Sequence, residues 1–438
     1  MKAITLTKDQ EKANNAFLDF MANDDNFFVI QGAAGTGKST LIKHLLETFY
    51  SRYKSYCLLL QKDVKEFDIK VTATTNKAVS VVNDFIGQVN SGQKVSEIKT
   101  IFSLLGLQVE NNRDTGKTSL TFNNKSTSLT ELTTSGLTPL VFIDEASFIG
   151  QDLHEIIVQI LKEQVNGKIV YIGDKYQLAP VGQTFSAMDA MTCKRAELNQ
   201  IVRNDGHILN TGTQFRHTVE TGQFNPIIYN GVDVKHVKGP EFERLVNASF
   251  TKPGWDPSVS KILAWTNEKV QAYNAHVRTV LGYPEMFQVG ETVVTNEYIK
   301  GTTKYSKSVD SEVVITKLDK LTHKMYDAVE GYMVELDNRH VGFMPMNYAD
   351  AKKLMRKFAK EKNWKAYFEV KESWLDLRAV YASSIHKSQG STYDTVFLDL
   401  PDIGKNWNAA DVARLMYVGV TRAAKQVICY GYLPDKYC

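Results

Sequence analysis

Residues 27–40, FFVIQGAAGTGKST, run a short apolar stretch into a glycine-rich loop and then into a Lys–Ser pair. Gly32, Gly35 and Gly37 have no side chain to hold phosphate oxygens away. The backbone N–H groups from Gly32 through Ala33, Ala34, Gly35 and Thr36 to Gly37 can therefore wrap phosphates at the positive end of a following helix. Lys38 would reach the β and γ phosphates, Ser39 offers the small hydroxyl that a hydrated Mg2+ takes as an inner ligand, and Thr40 closes the ATP-binding set. The GxxxxGK[ST] spacing between a strand and a helix marks a nucleoside-triphosphate site, with ATP and Mg2+ as the expected cofactors.

Two further segments carry chemistry. In LVFIDEAS, four apolar residues deliver Asp144 and Glu145 to the end of a buried strand, where ligands of open α/β sheets gather. Asp144 suits the Mg2+ and Glu145 the base that aligns the attacking water. Alone, such a pair is also what a helix cap looks like; the phosphate loop in the same chain selects the catalytic reading. In IVYIGDKYQLAPVG, a second strand exits through Gly173, Asp174 and Gln177, and the Gln177 amide can sense a γ phosphate or hold the lytic water.

These residues need a scaffold of alternating buried strands and helices. Thr7 to Met21 reads as a helix capped by Thr7, Leu41 to Phe49 and Ala78 to Ile86 as helices, and Ile69 to Ala73, Leu140 to Ile143 and Lys168 to Ile172 as strands. That rhythm marks a mostly parallel sheet covered on both faces. From Val109 to Gly136 a polar, alternating stretch with a DTGK turn reads as a hairpin excursion. A second alternating block starts near Ser260. Between about Gln288 and Asp376 short strands and turns replace it, interrupted by one lysine-rich helical run at Ala349 to Phe368, and the final strand is placed at Gln426 to Tyr430.

The phosphate loop, IDEAS, GDKYQLAPVG, ASSIHKSQGSTYDTVFLDL and MYVGVTRA, in this order, resemble the motifs of superfamily 1 DNA helicases of the RecD-like branch, and the resemblance spans nearly the whole chain. It implies an α/β fold of two RecA-like P-loop NTPase domains around one ATP, with a β-hairpin insertion in the first and a small β-rich, SH3-like insertion in the second. The corresponding boundaries are 1–200, with a strand-separating pin at about 107–137, and 201–438, with the β-rich part at about 288–376. It also implies 5' to 3' travel on single-stranded DNA and unwinding of duplex DNA. By the same resemblance Gln10 is the adenine-sensing glutamine, Arg203 and Arg422 are arginines supplied to the phosphoryl group across the cleft, and Gly390 lies in a turn facing the nucleotide. Planar guanidinium forks suit charge spread over phosphoryl oxygens. The DNA contacts it implies are Thr74, Thr75, Asn76 and Lys77, then Phe102 where the family commonly has histidine, then Ser384, His386 and Lys387. Trp265 and Trp374 are candidate base-stacking platforms, as aromatic faces accept any base.

Composition is permissive rather than decisive. At 438 residues the chain should divide into two or more domains, and its formal charge of +3 neither demands nor forbids a nucleic-acid partner. Four dispersed cysteines suggest neither disulfides nor zinc, and no apolar run reaches membrane-spanning length, so a cytoplasmic, non-secreted protein is expected, in the host cytoplasm if phage-encoded. The expected partners are single-stranded DNA and duplex junctions, a single-stranded-DNA-binding protein, and replication or recombination proteins, with no membrane. Two other readings stay open: a P-loop kinase or ATPase acting on a small substrate, and a DNA-stimulated binding switch that hydrolyses ATP without unwinding.

Overall fold

The computed structural model describes residues 5–86, 95–115, 118–122, 135–180, 186–202, 206–299, 309–323, 326 and 329–437. They fall into two compact units, residues 1–108 with 121–222, and residues 109–120 with 223–438.

The first unit is built on strands β1 (Phe27–Gly32), β2 (Phe67–Ala73), β3 (Val95–Thr100), β6 (Thr138–Asp144), β7 (Lys168–Gly173) and β8 (Lys194–Leu198); the short pair β4 (Leu107–Asn111) and β5 (Thr118–Phe122) forms a separate two-stranded sheet, most of which groups with the second unit. The main sheet runs β3-β2-β6-β7-β1-β8, and every pairing in it is parallel. Side chains alternate across a strand, so β6 sends Leu140 and Phe142 to one core and Val141 and Ile143 to the other, while β7 divides Val170 and Ile172 from Ile169 and Tyr171. Burial on both faces explains why these strands read as unbroken apolar runs. Helices Lys8–Ala22 and Lys38–Leu59 cover the first face, and Gln151–Ile157 contributes to the second. The phosphate-loop helix extends ten residues beyond the expected Phe49, because Tyr53 and Cys57 continue its buried stripe.

In the second unit, β9 (Val234–Val237), β10 (Ser260–Ala264), β16 (Ala382–Ser384), β17 (Tyr393–Asp399) and β18 (Ala423–Tyr430) form a parallel sheet ordered β16-β10-β17-β18-β9. Between β10 and β16 in the chain lie β11 (Thr292–Thr295), β12 (Glu312–Thr322), β13 (Glu330–Leu336), β14 (His340–Pro345) and β15 (Leu377–Ala379), an antiparallel sheet ordered β14-β13-β12-β11-β15. Its strands alternate buried and exposed residues, as a sheet with one wet face should. Asn274 of helix Asn267–Val280 fixes the return from β15 to β16: its Oδ1 accepts from the Tyr381 and Ala382 N–H groups at 3.1 and 2.8 Å, and its Nδ2 donates to the Ala382 carbonyl.

Two expectations change. The lysine-rich run is not one helix but two, Tyr348–Lys360 and Trp364–Ser373, because Lys362 takes a positive φ of 55° and the Asn363 side chain caps the second helix. Trp374 is not a stacking platform. Its ring is 4% exposed and packs edge-on against Phe343 at 4.8 Å, with His323 and Tyr326 around it, so no face is open to a base. Truncating a buried ring leaves a cavity, so Trp374→Ala should cost about 3–5 kcal/mol in chemical denaturation; a loss below about 1 kcal/mol would show the ring to be dispensable to this core.

Candidate functional site

The exit of β1 is shaped by backbone demands that few residues meet. Gly35 and Gly37 take φ of 79° and 78°, in the left-handed region, and a Cβ on Gly37 would stand 2.4 Å from the Gln10 Nε2. Gly37 is the N-cap of helix Lys38–Leu59, so the loop's N–H groups lie at the positive end of a 22-residue helix. The Lys38 ammonium donates to the Gly32 and Ala33 carbonyls at 2.8 and 3.2 Å, and Thr36 Oγ1 donates to the Ala33 carbonyl at 2.9 Å. Ala34 and Thr40 are half-buried, and Ser39 is exposed on the first helical turn.

Gln10, for which the resemblance implies adenine sensing, is also held by contacts within the protein. Its Oε1 accepts from the Thr7 N–H at 3.0 Å, completing a capping box, and its Nε2 donates to the Thr36 and Gly37 carbonyls at 3.2 Å each. The buried amide thus ties the first helix to the phosphate loop. Next to it, Asp9 Oδ2 accepts from the Asn199 and Gln200 N–H groups at 3.0 Å, and the Val202 N–H donates to the Gly35 carbonyl at 2.8 Å. Those two backbone donors hold the Asp9 carboxyl below its ordinary pKa. A carboxyl whose folded pKa is lowered contributes fully above its unfolded value near 4 and loses that contribution as pH falls through the folded value, so this tether is intact at neutral pH. Arg203, one residue beyond Val202, lies outside the described residues. Neither Asp9 nor the double use of Gln10 was visible in the motif pattern; the T-x-x-Q spacing of a capping box was the available signal.

Along the sheet, β7 lies between β1 and β6, which sets the phosphate loop and the Asp144–Glu145 exit about 10 Å apart. Burial raises the Asp144 pKa, opposed by the Glu145 N–H, which donates to Asp144 Oδ1 at 2.9 Å, and by the Lys38 charge. Glu145 itself adopts φ 52°, ψ 39°, left-handed for a residue with a side chain. Gln177 follows β7 on a turn in which the buried Asp174 accepts from the Tyr176 and Gln177 N–H groups at 3.0 and 3.1 Å, and Gln177 is itself buried. Among the described residues no three His, Cys, Asp or Glu side chains converge as a metal cage. One carboxylate and one hydroxyl nevertheless fit Mg2+, which keeps most of its waters and shares phosphate oxygens.

The far side of the same edge holds the expected DNA contacts. Thr75, Asn76 and Lys77 are exposed at the exit of β2, where Thr75 Oγ1 accepts from the Ala78 N–H and caps helix Asn76–Ile86. Thr74 is buried and its hydroxyl donates to the Glu145 carbonyl at 3.4 Å, joining the β2 exit to the β6 exit. Phe102, past the end of β3, is half-buried against the second-face core, so only part of its ring is available.

In the second unit the candidate residues divide between the two edges of the parallel sheet. At the C-terminal edge, Ser384 is buried and its Oγ accepts from the Lys387 N–H, while Trp265 is half-buried with its N–H donating to Asp402 Oδ2 at 2.9 Å. His386 is solvent-exposed; the protein around its ring still lowers its pKa, and the Asp411 carboxylate acts in the opposite direction. The Lys387 ammonium donates to Asn296 Oδ1 and Asp310 Oδ1 at 2.8 Å each, so its charge is already partnered. At the other edge, beside the starts of β17 and β18, Gly390 takes φ 75° and the buried Arg422 donates through Nη1 to the Ser391 carbonyl at 3.2 Å. Arg422 Nε finds no partner among the described residues, leaving a donor for an anion.

A glycine loop at a helix N-terminus, with acidic and amide residues at neighbouring strand exits of a parallel sheet, defines a P-loop nucleoside triphosphatase. The chain belongs to the AAA-domain family, whose model matches residues 5–225, just over half of its length, and residues 379–430 match the UvrD-like helicase C-terminal domain. It is 25% identical to the ATP-dependent DNA helicase dda of Enterobacteria phage T4, over 96% of this chain and 98% of that protein, and 22% identical to the RecBCD enzyme subunit RecD of Buchnera aphidicola, over 92% and 69%. Its fold is similar to that of the Pif1 helicase from Bacteroides solved with ADP-AlF3 and ssDNA, with a TM-score of 0.51, 15% identity and coverage of 99% and 94%. The protein is thus a superfamily 1-like helicase of the RecD- and Dda-related kind, with an ATP-hydrolysing architecture. Among the described residues no helix is long and apolar enough to cross a membrane.

Gln10→Ala removes two hydrogen bonds to the loop backbone, each of a kind with a net contribution of about 1 kcal/mol. It should raise the KM for ATP by roughly 5- to 30-fold. An unchanged KM would show that the loop holds its form without the tether.

Proposed function

We propose that this chain is an ATP-dependent DNA helicase of the Dda-like branch, translocating 5' to 3' on single-stranded DNA and opening duplexes ahead of it in the cytoplasm. The observation that carries the reading is the single edge of the first sheet. The triphosphate loop, Asp144–Glu145 and the exposed Thr75–Lys77 segment follow one another along it, with the Thr74–Glu145 hydrogen bond at the seam. A small-substrate kinase has no use for the second set.

The domain division we propose is a RecA-like domain over 1–200 with a pin insertion at about 107–137, and a second over 201–438 with an SH3-like insertion at about 288–376. Lys38 and the loop from Gly32 to Gly37 bind the triphosphate, with Thr40 behind them and Gln10 supporting them. Ser39 and Asp144 would hold Mg2+, which when bound would supply charge neutralisation for the transferring phosphoryl group. Glu145 orients and deprotonates the water, Gln177 reads the γ phosphate, and Arg203 and Arg422 stabilise the transferring phosphoryl group, with Gly390 in the adjoining turn. Thr74, Thr75, Asn76, Lys77, Phe102, Trp265, Ser384 and His386 grip single-stranded DNA. Lys387 contributes only when it leaves Asp310. Proposed partners are a single-stranded-DNA-binding protein and replication or recombination proteins.

The strand pair β4 and β5 supports the pin, and Arg113 between them lies 3.2 Å from Glu372; residues 116–117 and 123–134 of the excursion lie outside the described residues. Two measurements test the reading. Glu145→Gln keeps size and polarity but loses the base, so single-turnover hydrolysis should fall by about 10²–10⁴-fold while ATP still binds; an unchanged hydrolysis step would move the water to another group. Duplexes with only a 5' or only a 3' single-stranded tail should be opened from the 5' tail alone. Opening from the 3' tail would reverse the polarity, and opening of neither would favour a DNA-stimulated switch.

A further inference from the structure

The most exposed large apolar side chain among the described residues is Trp407, at 83%, and no residue of the site above accounts for it. An indole in water forgoes the burial that a side chain of this size normally contributes, and scattered exposure of this kind usually falls on smaller residues. Trp407 is not displayed by a loose loop. The Asn406 N–H donates to the Ile403 carbonyl at 3.2 Å, the buried Asn406 side chain accepts from the Asn408 N–H at 2.9 Å, and its carbonyl accepts from the Tyr437 hydroxyl at 2.8 Å. Asn408 then caps helix Ala409–Thr421 through the Ala410 and Asp411 N–H groups. Both neighbours of the indole are therefore fixed, and the ring is presented outward from a rigid turn.

The turn has a definite place in the second unit. It follows the exit of β17, whose neighbour β10 exits at Trp265 and whose next neighbour β16 exits at His386. Asp402 links the first two exits, accepting from the Trp265 and Thr266 N–H groups at 2.9 and 2.8 Å and from the Lys405 ammonium at 3.1 Å. Asp411, four residues past Trp407, is close enough to act on the His386 imidazole. Three adjacent strand exits thus carry His386, Trp265 and Trp407 along one edge, with the Lys405 side chain, 62% exposed, two residues from the indole.

We infer that Trp407 is a stacking platform for a base of single-stranded DNA, with Lys405 beside it able to meet the adjacent phosphate by leaving Asp402. An open aromatic face matches the base of a nucleotide, and stacking accepts any base, as a translocating protein requires; the Lys405 side chain beside it is solvent-exposed, with its ammonium paired to Asp402. The inference rests on the helicase reading and extends the strand's path past the β17 exit.

The test uses the full chain and three oligonucleotides: oligo(dT), a mixed-sequence strand, and a strand of equal length whose nucleotides are abasic. Trp407→Ala should weaken binding of both base-bearing strands by about 5- to 150-fold and leave binding of the abasic strand unchanged, because only the stacking is removed. Trp407→Phe should recover most of the affinity while losing part of the tryptophan fluorescence quenching seen on strand binding. An unchanged thermal midpoint in both variants certifies the fold. Equal affinity of Trp407→Ala and the unaltered protein for oligo(dT) would overturn the inference and point to a protein contact at this edge. Equal weakening for the abasic strand would overturn it too, since a structural role would do that. Failure of the unaltered protein to bind any strand would instead defeat the helicase reading on which it rests.

Discussion

In a parallel sheet every strand leaves by the same edge, and that constraint organises both units. In the first, reading across β3, β2, β6, β7, β1 and β8 gives a half-buried ring, an exposed polar segment, two carboxylates, an amide and a phosphate loop in lateral order. The residues proposed for nucleotide chemistry and those proposed for strand contact are then neighbours about one strand spacing apart, without any long-range wire. The Thr74 hydroxyl on the Glu145 carbonyl is the point where they meet. Since Glu145 holds a left-handed backbone that a non-glycine residue adopts at a cost of order 1 kcal/mol, small movements of the β2 exit bear on a residue already under strain.

The second unit uses the constraint differently. Its strand exits carry Ser384, His386 and Trp265, while Gly390 and Arg422 sit at the opposite edge, beside the starts of β17 and β18. The chain between His386 and Gly390 and the helix Ala409–Thr421 both span from one edge to the other. The candidate strand-contacting residues and the candidate phosphate-contacting residues are therefore joined by short connections within a single unit.

How much of this was legible depends on what kind of constraint each residue obeys. The phosphate loop and the acidic strand exit were readable because backbone conformation and burial dictate their residue types: Gly37 tolerates no Cβ beside Gln10, and β6 must be apolar on both faces. Tryptophan type reports neither burial nor exposure. Trp374 is a candidate platform by residue type, yet Phe343 covers it, while Trp407, outside any motif, stands in solvent. The charge of Lys387 was legible, but its partners Asn296 and Asp310 come from 91 and 77 residues away, beyond any local pattern. The lysine-rich run lost its continuity to a single cap at Asn363, a signal present in the sequence and outweighed by composition.

The account stands on nucleotide chemistry being driven by the strand-contacting residues beside it. The most direct measurement is the steady-state rate of ATP hydrolysis as single-stranded DNA is titrated into the purified full chain at saturating Mg-ATP. The account predicts a low basal rate that climbs many-fold and saturates with DNA. A rate indifferent to DNA at every concentration would contradict it, leaving a triphosphatase whose neighbouring edge serves something else.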